Sequence, residues 1–496
     1  MFQSGVKVDE VCLIVESEGG LANAGIPEHV MELVKTLAHV KFVVVTIAHR
    51  PYAVTSLVTR LPENISQLIT LSLDEGYYFN LACPQRKKAR EFWQKLFALY
   101  ETKLDDKIRY FEPVIRALAL ANSRVLNYFD IIQAPEFFNL IKAQYLRYCL
   151  TISFLDYVWI FRQTQLPYFQ LTQFQLPKAN VYHVFASRYA CMLGLIEKIR
   201  NRSHLVVDLK HDYFLNALSE SHQETELMEW VKSHEIPQAS LEIFIKTYNA
   251  SLKTNRFLAG FYADTIIVNN SLEAKSFFAE QFTYKTCSIL TSGHHQPLVN
   301  FKKGSSSQLT IGFVSEINPL SDGKTCLRAA RLLRNRLRDL RFLFFATGSL
   351  NPLTTEEYHN LRHQLDLELE LSFLYDRDED KFLKEIDLVV ISGRLPVTQK
   401  DLIYKALAYG LPMVLVGCET YRPIIEGNSA PDRELGECGL FLEPGSPQHL
   451  ASALMTLIND QTLYREMSKI ALRRFELFYS KTTQLHSYVS LYNNLV

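Results

Sequence analysis

Short apolar runs alternate along the chain with stretches whose apolar residues recur every three or four positions. Residues 11–15, 42–47, 181–185, 205–209 and 265–268 are rich in Val, Ile and Leu and bounded by polar residues, which predicts buried β-strands. Helical periodicity between them predicts helices over 27–37, 187–199 and 271–280. A second series of strands, at 309–314, 342–345, 388–391 and 413–416, alternates with helices predicted over 324–337, 355–365, 401–409 and 448–458. Continuous apolar strands separated by helices are the pattern of a parallel sheet covered on both faces. The series occurs twice, so the predicted fold class is α/β with two doubly wound domains.

The boundary falls at residues 292–308, where Ser-Gly-His-His-Gln-Pro and then Lys-Lys-Gly-Ser-Ser-Ser-Gln have linker composition. The first domain therefore takes residues 1–292 and the second 309–461. Residues 84–176 break the strand–helix rhythm and read as a helical insertion rich in Tyr, Phe and Leu. The tail, 462–496, has neither Gly nor Pro and reads as helix again.

Composition narrows the function classes. Of the 496 residues 48% are hydrophobic, 12% aromatic and 21% charged, which supplies large cores and excludes a disordered chain. Lys and Arg together number 53, as do Asp and Glu, so the formal charge is zero. A neutral chain without a basic block is a poor nucleic-acid binder, and no nucleic-acid partner is expected. The eight cysteines show no CxxC spacing and sit mostly in apolar runs, as buried free thiols of a reducing compartment do. The N-terminus lacks a signal-peptide pattern, and the most apolar stretch, 145–161, is interrupted by Arg147 and Asp156. The expected location is the cytoplasm.

In a doubly wound sheet, ligands bind beyond the carboxyl ends of the strands, where helix N-termini present unpaired N–H groups. Gly25, after the first strand, precedes a helix and would let a ligand approach the backbone. After the first strand of the second domain come Ser315, Glu316, Ser321, Asp322 and Lys324; Asp322 is placed to cap the next helix. His183 is expected to end one strand, and His211 follows another. HExxH, P-loop, GxGxxG and GxSxG motifs are absent, so triads of Ser, His and Asp cannot be ranked. Residues 436–441 look like a turn into an edge strand.

Several ordered segments carry a family resemblance. They are Val11-Cys12-Leu13-Ile14-Val15-Glu16 with Gly25-Ile26; Val181-Tyr182-His183 with Tyr189-Ala190 and Leu193-Gly194; Ile311-Gly312-Phe313-Val314 through Pro319, Asp322 and Lys324-Thr325 to Arg328-Ala329; and Ile425-Glu426-Gly427 with Asp432-Arg433-Glu434-Leu435-Gly436 and Cys438-Gly439. On these the chain resembles the PelF family, the cytosolic glycosyltransferases of Pel-type exopolysaccharide synthesis, within the family 4 retaining transferases of the GT-B fold. The resemblance implies two Rossmann-like domains facing a cleft, with the tail helices packing back on the first. It implies a nucleotide-sugar donor such as a UDP-sugar on the second domain, an acceptor glycan on the first, and neither a separate cofactor nor a metal. A membrane-associated exopolysaccharide synthesis complex or an active paralogue is the expected partner, at the periphery of the inner membrane.

The same resemblance places catalytic positions at His183, His211 and Asp401, and donor or cleft positions at Gly25, Ser315, Glu316, Ser321, Lys324, Gly348 and Lys405. Several are substituted. Ser315-Glu316 stand where the family has a glycine–arginine pair, and Ser321 where it has a phosphate-gripping lysine. The family's two glutamates, eight residues apart, fall on Gly393 or Val397 and on Asp401 or Lys405, and neither alignment keeps both. Charged donor contacts are lost while the backbone-shaping Gly312, Pro319 and Gly436 stay. Two readings follow: a noncatalytic GT-B protein acting as partner, regulator or glycan binder, or an active retaining hexosyltransferase of altered donor geometry.

Overall fold

The computed structural model describes residues 10–17, 26–48, 61–73, 111–116, 135–148, 151–185, 188–209, 240–268, 286–289, 308–318, 321–337, 339–347, 351–375, 378–393 and 401–495. The chain divides into two compact units. The first gathers the described residues of Met1–Val268, Ser276–Ser288 and Tyr488–Val496, and the second those of Asn269–Lys275 and Ile289–Ser487. The predicted linker at 292–308 and the helix predicted over 271–280 lie outside the described residues, apart from Gln308 at the linker's end.

Strands β1 (Glu10–Ser17), β2 (Lys41–Ala48), β3 (Ile65–Ser72), β4 (Val181–Phe185), β5 (His204–Asp208), β6 (Thr265–Val268) and β7 (Thr286–Ile289) form a seven-stranded sheet. Its order is β3-β2-β1-β4-β5-β6-β7, and β1 pairs in parallel with both β2 and β4. The second sheet comprises β8 (Leu309–Glu316), β9 (Leu340–Thr347), β10 (Leu371–Leu374), β11 (Leu388–Ser392), β12 (Met413–Val416) and β13 (Gly439–Leu442). Its order is β10-β9-β8-β11-β12-β13, with every pair parallel. Strand order reverses between β1 and β4 and again between β8 and β11, and each reversal opens a crevice at the carboxyl edge.

Alternation along β8 decides which side chains reach that edge. Ile311 and Phe313 pack on one face with the helices Gly323–Arg334, Pro352–Gln364 and Pro447–Asn459. Val314 points to the other face, toward Glu379–Glu385 and Asp401–Ala408. Gly312 shares that second face, where an added Cβ would lie 2.6 Å from Ile386 and 2.7 Å from Phe382. Glycine is therefore required for this helix to sit against the strand.

The interior strands fall where the apolar runs predict them, with β1, β8 and β9 extending about two residues farther at one end or both. Strands β3, β7 and β10 are additional, as is the long helix Leu241–Tyr262. In the region read as an insertion, residues 111–116, Pro135–Tyr148 and Phe154–Leu171 are helical. The tail forms Gln461–Arg474, a π-helical turn at Phe475–Tyr479, and a last helix, Lys481–Leu495, whose end from Tyr488 groups with the first unit. Among the described residues no helix is long and apolar enough to cross a membrane.

Candidate functional site

At the β8/β11 reversal, β8 ends on Ser315 and Glu316, and the chain turns into the helix Gly323–Arg334. The Glu316 carboxylate accepts from the Asn318 side-chain amide at 2.6 Å. Ser321 folds inward: its hydroxyl donates to the Glu316 carbonyl (2.6 Å) and shares a hydrogen bond with the Tyr358 hydroxyl (3.0 Å). Burial pushes the Tyr358 phenol up to about 12, so it stays a neutral donor. Beneath this turn an added Cβ at Gly323 would meet the Tyr358 hydroxyl at 2.7 Å and the Ser315 Oγ at 2.9 Å. A side chain at this position would therefore have to displace the Tyr358 and Ser315 hydroxyls.

Asp322 occupies the N-cap position, but its side chain does not bond a helix N–H. Its carboxylate accepts instead from the Thr325 hydroxyl and from the Gly445 backbone N–H at 3.0 Å. This corrects the expected cap, because a competing amide in the turn after β13 and a hydroxyl in the first helical turn take the two oxygens. The negative charge nevertheless sits at the helix N-terminus, the end that otherwise favours anions.

The two candidate lysines are both paired. Lys324 Nζ lies 2.6 Å from Glu357 and 5.7 Å from the centre of the Tyr358 ring. Lys405 Nζ lies 2.8 Å from Glu379. Ser315, Glu316, Ser321 and Lys324 come together between the end of β8 and the next helix, whereas Asp401 begins a separate helix, Asp401–Ala408. Among the described residues no group of three His, Cys, Asp or Glu is placed to hold a metal ion.

The β1/β4 reversal of the first unit holds an ion pair of its own. Glu16, near the end of β1, accepts the Ala190 N–H at 3.0 Å and so caps the helix Tyr189–Asn201. Arg188 lies 3.6 Å from the same carboxylate, donates to the Tyr248 hydroxyl at 3.0 Å, and stacks over Tyr189 at 4.3 Å. Burial raises the Tyr189 phenol above its ordinary range and Arg188 offsets part of that, keeping the ring neutral beside the cation. This cluster escapes sequence reading because Glu16 and Arg188 are remote in the chain and meet only through the β1–β4 pairing.

His183 does not end its strand. It is the third residue of β4, fully buried and stacked on Phe185, because β4 runs on to Phe185. Its Nδ1 lies 2.7 Å from the Tyr492 hydroxyl and its Nε2 3.8 Å from Asp208. Tyr488 donates to the same Asp208 carboxylate at 2.7 Å. Burial first, and then the Asp208 charge, push both phenols well above their ordinary range, so they remain protonated. His211, Gly25 and Gly348 lie outside the described residues.

Residues 308–460 match the family profile described as Glycosyl transferases group 1, and residues 9–253 match a Domain of unknown function, DUF3492. Among solved structures, HepE from Anabaena in complex with UDP aligns with a TM-score of 0.52 at 14% identity, over 97% of this chain and 99% of that one. Sucrose-phosphate synthase from Thermosynechococcus elongatus aligns at 0.50 and 12%, over 98% and 99%. A glycosyltransferase from Rickettsia africae aligns at 0.50 and 12%, over 99% of each chain. The fold is GT-B. This chain thus shares its fold over nearly its whole length with proteins of very different sequence, and no curated protein sequence matches it.

Proposed function

We propose that this GT-B protein is PelF-like, serves exopolysaccharide biosynthesis, and acts as a noncatalytic partner, regulator or glycan binder with lost or altered sugar transfer. The observation that carries this reading is Glu316 at the carboxyl end of β8, with a second carboxylate, Asp322, at the start of the following helix. A departing nucleoside diphosphate needs charge-assisted donors at such a turn. Here it meets a carboxylate, a serine hydroxyl turned toward backbone carbonyls, and two lysines held by Glu357 and Glu379.

The magnitudes favour weak binding. Each lost charge-assisted hydrogen bond removes roughly 1.5–3 kcal/mol, and a like charge at ~4 Å adds repulsion of a few kcal/mol at an effective dielectric near 20. A net penalty of ~3 kcal/mol weakens binding about a hundredfold. UDP is the donor probe because HepE was crystallised with it. The expectation is a Kd for UDP above ~1 mM by calorimetric titration, improved at least tenfold by Glu316→Arg with Ser321→Lys. Micromolar UDP binding by the wild type, unchanged or worsened by the substitutions, supports the active retaining hexosyltransferase instead. The His183, His211 and Asp401 positions then become the catalytic candidates, and Gly25, Gly348 and Lys405 further contacts of the acceptor and donor.

A further inference from the structure

The last helix, Lys481–Leu495, is set off from the chain before it. Helix Gln461–Arg474 runs into the π-helical turn, and the backbone then breaks at Ser480, which is extended (φ −71°, ψ 152°). Ser480 restarts the helix by accepting the Thr483 N–H at 3.2 Å. A break followed by a fresh cap makes a joint, and π-helical turns often mark such points. Tyr488 and Tyr492, four residues apart, share one face of the new helix. That face lies on the carboxyl halves of β4 and β5, where His183 and Asp208 project from the same side of the sheet.

All four side chains are buried. The contact is therefore partly polar: the two phenol hydroxyls of the helix meet an imidazole and a carboxylate beneath it, beside ring-to-ring packing. Buried polar groups are held by their hydrogen bonds but recover hydration when exposed, so separating such a surface costs less than separating an apolar one of equal size. We propose that the end of this helix is a detachable latch, hinged at Ser480, whose docking through Tyr488 and Tyr492 closes the His183–Asp208 pair off from solvent. Undocking opens the carboxyl edge of β4 and β5, the side on which doubly wound sheets receive ligands, without unfolding the sheet.

Native-state hydrogen exchange on the full chain tests this. The amides of 488–495 are expected to exchange through an opening less costly than that of β4 and β5. Tyr488→Phe with Tyr492→Phe should speed their exchange about ten-fold for each lost hydrogen bond, with β4 and β5 unchanged. Diethyl pyrocarbonate labelling, read by mass spectrometry, should find His183 protected in the wild type and modified faster in the double variant. Exchange of the 488–495 amides only together with β4 and β5 in the wild type makes this helix end part of the core and overturns the proposal. So does a folded double variant in which both the helix and His183 stay as protected as in the wild type. The wild-type comparison decides even if the double variant does not fold.

Discussion

Single residues show how environment, not residue type, sets behaviour in this chain. Glu197 sits in the last turns of the helix Tyr189–Asn201 with no exposed surface. It pairs with Arg200 and accepts from the Asn201 amide at 2.8 Å. Burial outweighs both partners and pushes its carboxyl up to about 7. The folded protein therefore holds a proton that the unfolded chain releases near the ordinary glutamate range. Stability from this group is fully present below about pH 4.5 and is lost as pH rises through about 7. Glu197→Gln keeps a neutral hydrogen-bonding group at every pH. Urea unfolding followed on the first unit should show the variant close to wild type at pH 4.5 and more stable by about 2–3 kcal/mol at pH 8. A constant difference across that range would refute the account. The buried thiols read from the apolar runs are of the same kind: among the described residues Cys12, Cys191, Cys326, Cys418 and Cys438 are free and buried. Burial raises Cys438 to about 11 even beside Arg474, which keeps that thiol protonated and unreactive.

At the scale of elements, legibility follows burial on two faces. The central strands β1, β2, β4, β5, β8, β9, β11 and β12 are covered on both faces, so their sequences are mostly apolar, with few polar residues such as Thr46 and His183 among them. Strand β3 is an edge strand in which Ser, Gln and Thr are mixed among Ile and Leu, and β10 is a four-residue edge. An edge strand needs one dry face only, and its pattern dissolves into that of a loop. The helix Leu241–Tyr262 does carry a helical stripe, Phe244, Tyr248 and Leu252 four residues apart, packed beside Ile160 of the helix Phe154–Leu171. The candidate turn was legible at Ser315, Glu316 and Ser321, where the residue types themselves depart from what binds a diphosphate. Its partners Asn318, Tyr358 and Glu357 were not, since nothing local announces which side chain a distant helix will deliver.

Arg474 ties one element to another in the same hidden way. It ends the helix Gln461–Arg474 with no exposed surface, and its Nε lies 2.7 Å from Asp432. Its remaining donors reach the carbonyls of Ile425, Asp432 and Gly436 and the Cys438 sulfur. Asp432 in turn accepts the Asn428 N–H at 2.8 Å. One guanidinium thus fixes the turn that leads into β13. Arg474→Met leaves the carboxylate buried without its cation and should cost the second unit about 3–5 kcal/mol. Adding Asp432→Asn should recover a measurable part, so that the double variant loses less than the two single changes together. Additive losses in chemical denaturation would mean that the pair is not coupled.

For the whole molecule, the division of the chain makes an asymmetric prediction about its tail. Residues 461–474 pack within the second unit, where Ala471 and Met467 join its cores, whereas Tyr488 and Tyr492 are buried in the first. Removing residues 488–496 therefore takes nothing from the core of the second unit. From the first it takes two buried phenol rings and their hydrogen bonds to His183 and Asp208. Exposing that imidazole and carboxylate to water returns part of their hydration, which offsets some of the lost apolar burial. The net loss should be about 3 kcal/mol, less than two aromatic truncations in a dry core would cost. For a unit of this size each kcal/mol moves the midpoint by roughly 2–4 °C, so the first unit should melt about 6–12 °C lower. Calorimetry of the truncated chain should show one transition displaced by that amount and a second one in place, with exchange in β8 and β11 identifying the second unit. Equal displacement of both transitions would mean that the two units do not melt independently, and no displacement would mean that the tyrosine face adds nothing to the first unit's stability.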